Sequence, residues 1–144
     1  MKTRLRTLRI GARRCAWTAR ITHAAGEHDC HRVIRLRVWG NGKNSRTLQV
    51  DLLSTTPPGP WGACATDTAY PTSGDVRAIV DYALVNGWET DEVGGTFVLT
   101  EHEHAAAFEL PDFLITDRLN NPSAPDPTER VRAAGGRSDV GEFH

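Results

Sequence analysis

Four groups of residues carry side chains able to do chemistry. The first is His23, His28, Cys30 and His31, close together near the N-terminus. Zinc takes four nitrogen or sulfur ligands in a tetrahedron. The spacing H-x4-H-x-C-H fits no such set, and completing it would call on the distant His102 and His104. Histidines exposed on a hairpin are the preferred reading, so no metal ligand and no cofactor is expected. The second is Cys64, with Asp67 nearby. A thiolate nucleophile needs a base within hydrogen-bond reach, whereas a free cysteine is more often a small buried apolar residue. The third comprises Asp91, Glu92, Glu101 and Glu103. Paired carboxylates support acid–base work, but these flank turns and strand ends, where solvated carboxylates are the rule. No phosphate-binding loop, GxGxxG, GxSxG or HExxH occurs. Gly40-Asn41-Gly42-Lys43 joins two strands rather than opening a helix. No catalytic residue is expected.

The fourth group is basic. Arg20, Arg35 and Arg37 alternate outward with Thr18, Thr22 and Gln49, and Arg46 lies close in sequence. Such a face can hold phosphates, and each contact would make binding salt-dependent. Single-strand binders also stack bases on aromatic rings, and here only Trp39, at a strand end, could serve. The net charge of −1 hides an asymmetry: the first fifty residues carry twelve Lys and Arg against two Asp and Glu, the remainder five against sixteen. That split fits a basic surface for an anionic partner. The preferred reading is that the two halves neutralise each other in the fold.

The elements that must position these groups follow from periodicity. Residues 71–88 read as one capped helix. Val76, Ile79, Val80, Ala83 and Leu84 form an apolar stripe. Thr72-x-x-Asp75 fits a capping box, and Asn86-Gly87 is a stop. Residues 4–10, 15–23, 31–39 and 46–53 alternate apolar and polar, as strands with one wet face do. Gly40-Asn41-Gly42 is the strongest turn signal. Residues 54–70, with TTPPGP, form a long loop that proline keeps out of helix or central strand. Its Trp61, Asp67 and Tyr70 are expected to make loop contacts. Two further strands are expected at 96–101 and 112–118, and 105–111 reads as a short helical turn or loop. Residues 120–144 lack an apolar period and are expected to be disordered.

The fold expected is α+β: an antiparallel β-meander packed against one main helix, with two further C-terminal strands, in a single domain over 1–119. Three widely spaced cysteines argue against a disulfide framework. The basic start lacks the apolar run of a secretory signal, and no stretch approaches the roughly 20 apolar residues of a membrane helix. A soluble cytoplasmic protein is expected.

The segments TSGDVRAIVDYALVNGW, GGTFVLT and LPDFLITDRL resemble those of a group of small, mainly actinobacterial, uncharacterised proteins. The resemblance spans roughly residues 55–119 and rests on cap, stripe, stop and strand. It implies no activity and carries over no catalytic residue. By analogy, such proteins serve as immunity or accessory factors. The expectation is therefore a non-enzymatic, protein-binding module whose surface charge meets a partner protein. The alternative is a nucleic-acid-binding module using the arginine face, with an enzyme or metal-binding protein third.

Overall fold

Alternating apolar residues commit each N-terminal strand to a two-sided sheet. A computed structural model describes residues 5–26, 30–55 and 67–142, with side chains as far as residue 134. Strands β1 (Arg6–Ile10), β2 (Arg13–Ala25), β3 (Cys30–Trp39) and β4 (Thr47–Ser54) pair antiparallel in chain order. Cys15, Trp17 and Ala19 of β2, Ile34, Leu36 and Val38 of β3, and Leu48, Val50 and Leu52 of β4 are buried on one face. Gly40 ends β3 against Thr90: a Cβ there would stand 2.6 Å from the threonine Cγ2, so only glycine fits.

Helix α1 (Ser73–Val85) lies on that apolar face. Its capping box is formed. The Asp75 N–H donates to the Thr72 hydroxyl at 3.1 Å, and the Thr72 N–H donates to the Asp75 carboxylate at 2.9 Å. Val76, Ile79, Val80 and Ala83 are fully buried. Leu84 is not, contrary to the expected stripe: it is 39% exposed, and Ala78 and Tyr82 flank the buried line instead. Gly87, at φ 110°, stops the helix. Trp88 folds back, its N–H bonding Ala83 O at 2.9 Å and its indole donating to Arg46 O at 3.0 Å.

The four-stranded meander is antiparallel as expected, but the sheet as a whole is mixed, and helices beyond the one main helix are present. Strand β5 (Thr96–Leu99) runs parallel to the first half of β4, while β6 (Phe113–Ile115) runs antiparallel to its last residues, so both share one edge. The cause is the connection: α1 carries the chain back over the sheet between β4 and β5, and such a crossover returns a strand parallel to its predecessor. Helix α2 (Glu101–His104) sits between β5 and β6, in place of the strand end expected there.

Among the described residues, the second face of the sheet is covered at one end. Helix α3 (Pro127–Glu142) begins in the segment expected to be disordered. Its Val131 is buried with Ala24, Val33, Leu53 and Leu114, and Leu119 and Ala134 pack around them. An apolar stripe of two residues is too short to register as a period, yet the sheet supplies the remaining contacts. Among the described residues no helix is long and apolar enough to cross a membrane.

Candidate anion-binding face

Strand register gathers the arginines. Arg20 stands directly opposite Arg35, Arg35 opposite Asp51, Thr18 opposite Arg37, and Arg37 opposite Gln49. All lie on the face turned away from α1. Directly opposed like charges destabilise a sheet, and the buried Asp51 offsets this. Arg35 donates Nε to Asp51 Oδ1 at 2.8 Å and Nη2 to Oδ2 at 2.9 Å. The same Nη2 reaches Asn120 Oδ1 at 2.9 Å. The hydrogen bond to Asp51 holds the Arg35 guanidinium above its usual range, against the opposing effect of burial. Arg37 donates Nε to Gln49 Oε1 at 3.0 Å. Arg20 is exposed and has no ion pair or side-chain hydrogen bond among the described residues. Between them opens a notch of about 270 Å³, walled by Arg20, Thr22, Arg35, Arg37 and Leu119.

Trp39 occupies the same face, two residues along β3 from Arg37. The Lys43 ammonium lies 5.6 Å from its ring centroid. The acidic half of the chain neutralises part of the basic half through Arg13–Asp91 at 3.7 Å, Arg46–Glu89 at 4.0 Å and Arg35–Asp51. It does not reach Arg9, Arg14 or Arg20 among the described residues.

Arg46 does not join the face. It tethers the loop after α1, with Nε donating to Gly94 O at 3.3 Å. Asp67 is buried: it accepts the Ala69 N–H at 2.8 Å, and its carbonyl receives Arg32 Nη1 at 3.1 Å. Tyr70 donates to Ala19 O at 3.4 Å, beneath the Arg6 guanidinium. These bonds tie both loop residues to the sheet. Trp61 and Cys64 lie outside the described residues.

Several of the candidate carboxylates and histidines are engaged within the fold. Asp117 caps α2, accepting the Glu101 and His102 N–H groups at 2.8 and 3.2 Å. Glu101 accepts the Asp117 N–H at 3.0 Å and pairs with Arg130 at 3.3 Å. Burial lowers Arg130 from its usual range, against the pull of Glu101 and Asp117. Asp91 meets Arg13 and Asn41, and Glu103 closes a cap with Thr100. His104 Nδ1 and the Tyr82 hydroxyl share a hydrogen bond of 2.8 Å. His23 and His31 fall on opposite faces of the hairpin, with His31 buried against the Thr128 hydroxyl at 2.9 Å. Among the described residues no three His, Cys, Asp or Glu gather as a metal would require. Cys30 is disulfide-bonded, although the cysteine count and spacing argued against a disulfide framework. Cys15 is free and buried.

Sequence reasoning placed Arg20, Arg35 and Arg37 on one face but assigned no role to Asp51, Leu119 or Asn120. The Gly40–Gly42 turn fixes the β3–β4 register, and from that register Asp51 could have been set opposite Arg35. Leu119 and Asn120 depend on α3, which left no such signal. No known protein family, curated protein or solved structure matches this chain.

Proposed function

We propose that this chain is a non-enzymatic binding module that holds an acidic segment of a partner protein on the open half of its arginine face. The observation that carries this reading is the imbalance at the notch: three guanidinium groups face a single carboxylate, which is fully engaged by one of them. Complementary charge of this kind steers and orients an anionic partner. An accessory role of the immunity type suits a module of this size. The test is calorimetric titration with a glutamate-rich peptide at low and high salt. Binding that weakens with salt and is lost in Arg20→Glu/Arg37→Glu supports the reading. Binding unaffected by that double substitution contradicts it.

Trp39 favours a second reading, single-stranded nucleic acid. Its ring shares the face with Arg37 and could stack a base if Lys43 moved aside. Oligothymidylate binding tighter than the peptide, and lost in Trp39→Ala, would favour this alternative.

The disulfide at Cys30 bears on location. Disulfides persist where thiols are not kept reduced. A disulfide at Cys30 is compatible with an oxidising compartment, beside the cytoplasm expected from the sequence.

A further inference from the structure

We propose that the notch between Arg20, Arg35 and Arg37 is a receptor for a doubly charged phosphoryl group, carried as a phosphate ester on the partner's acidic segment. This rests on the reading of the face as a protein-binding surface and specifies what that surface recognises. The argument is one of donors, charge and room.

The donors come first. Arg35 has Nε and Nη2 committed to Asp51 and Asn120, which leaves Nη1. Arg37 commits only Nε, to Gln49, which leaves both terminal nitrogens. Arg20 commits none, and the Thr22 hydroxyl adds one more donor on the same wall. Both oxygens of Asp51 already accept from Arg35, so among the described residues the notch offers donors to an incoming group with no free carboxylate lining it to compete. A ligand for such a site must be rich in acceptors.

Charge narrows the class. One of the three guanidinium charges is balanced by Asp51, leaving two. A single carboxylate would balance one of them and leave Arg20 or Arg37 uncompensated. A phosphate monoester carries a charge of about −1.5 to −2 at neutral pH and three acceptor oxygens, and the planar guanidinium fork matches its geometry. The notch of about 270 Å³ also has room for such a group with some of its water, since a water molecule takes about 30 Å³ of liquid. Leu119 forms one wall, and the adjacent Asn120 holds Arg35 Nη2. The site is therefore completed by the segment leading into α3, not by the sheet alone.

The experiment compares three probes by calorimetry on the full chain: an acidic peptide with a central phosphoserine, the same peptide with serine, and inorganic phosphate. The phosphopeptide should bind at least about tenfold more tightly than its serine counterpart, the value of one good charge-assisted hydrogen bond. Arg20→Ala, at an exposed position that the fold does not need, should remove that preference. Arg37→Lys should not preserve it, because an ammonium cannot reproduce the fork. Asp51→Asn should remove the charge that balances Arg35 and tighten the phosphopeptide, and an unchanged affinity would count against the proposal. Equal binding of the two peptides overturns the phosphoryl inference and leaves the acidic-partner reading standing. Binding of inorganic phosphate with neither peptide bound overturns both the ester's protein source and the acidic-partner reading. No binding of any probe overturns the whole.

Discussion

Asp51 of β4 takes both forks of Arg35 from β3, at 2.8 and 2.9 Å, and in doing so shields Arg35 from the like charge of Arg20 directly opposite. Asp51→Asn should therefore act in two directions. Stability should fall by about 2 kcal/mol, the scale of a hydrogen bond to a charged group, because Arg35 is only partly exposed and would lose its counter-ion. Anion affinity at the face should rise in the same protein. Chemical denaturation and calorimetry on one preparation check the pair. A variant as stable as wild type would mean that Asp51 does not hold the arginines together.

Helix α1 gives a contrast between neighbouring stripe positions. Ile79 is fully buried and Leu84 is 39% exposed. Ile79→Asp places an unpaired charge in the core at a cost of several kcal/mol and should unfold the domain. Leu84→Asp should leave the thermal midpoint nearly unchanged. Unfolding by both would show that the helix sits rotated from the position described.

The C-terminal segment makes a third test. Val131 is buried against Val33, Leu53 and Leu114, and the Arg130 guanidinium bonds Ile115 O and pairs with Glu101. Val131→Ala should cost about 1.5 kcal/mol on the loss of two buried carbon groups. Deleting residues 127–144 should lower the melting temperature further. An unchanged melting temperature after the deletion would mean that this segment behaves as the disordered tail its composition suggests.

The cysteines provide a fourth. Burial pushes the Cys15 thiol up, against the lowering effect of Arg13. The folded state therefore keeps this proton at pH values where the unfolded thiol ionises. Stability from this group is complete below the ordinary thiol value and declines as pH rises through it. Cys15→Ala should abolish that part of the alkaline decline. In unreduced protein, a thiol reagent should leave Cys15 unlabelled natively and label it after denaturation. Labelling of Cys30 in the unreduced denatured chain would contradict its disulfide.

What could be read from the sequence follows from where the physics is local. The meander, the capping box of Thr72 and Asp75, the Gly87 stop and the outward arginines are all settled within a few residues, so periodicity and turn chemistry show them. The parallel β5 and the small face of α3 are not local. Four residues of β5 carry no mark of direction, and Val131 with Ala134 is an apolar stripe only because Val33 and Leu114 wait beneath it. Leu84 misled because a helix stripe drifts, and which border residue is wet depends on how the sheet is twisted under it. The site divides the same way. Arg20, Arg35 and Arg37 share a face by alternation alone, whereas the engagement of Asp51, the wall of Leu119 and the Asn120 contact to Arg35 require the register of β4 and the path into α3.

The most direct test of the anion-binding face is a map of where an acidic peptide touches. In an amide chemical-shift titration with the phosphopeptide, the account predicts saturable shifts concentrated at Thr18, Arg20, Thr22, Arg37 and Gln49, with Val76 to Ala83 of α1 unmoved. Shifts centred on α1 or on the loop around Arg46, with Arg20 and Arg37 silent, would contradict it.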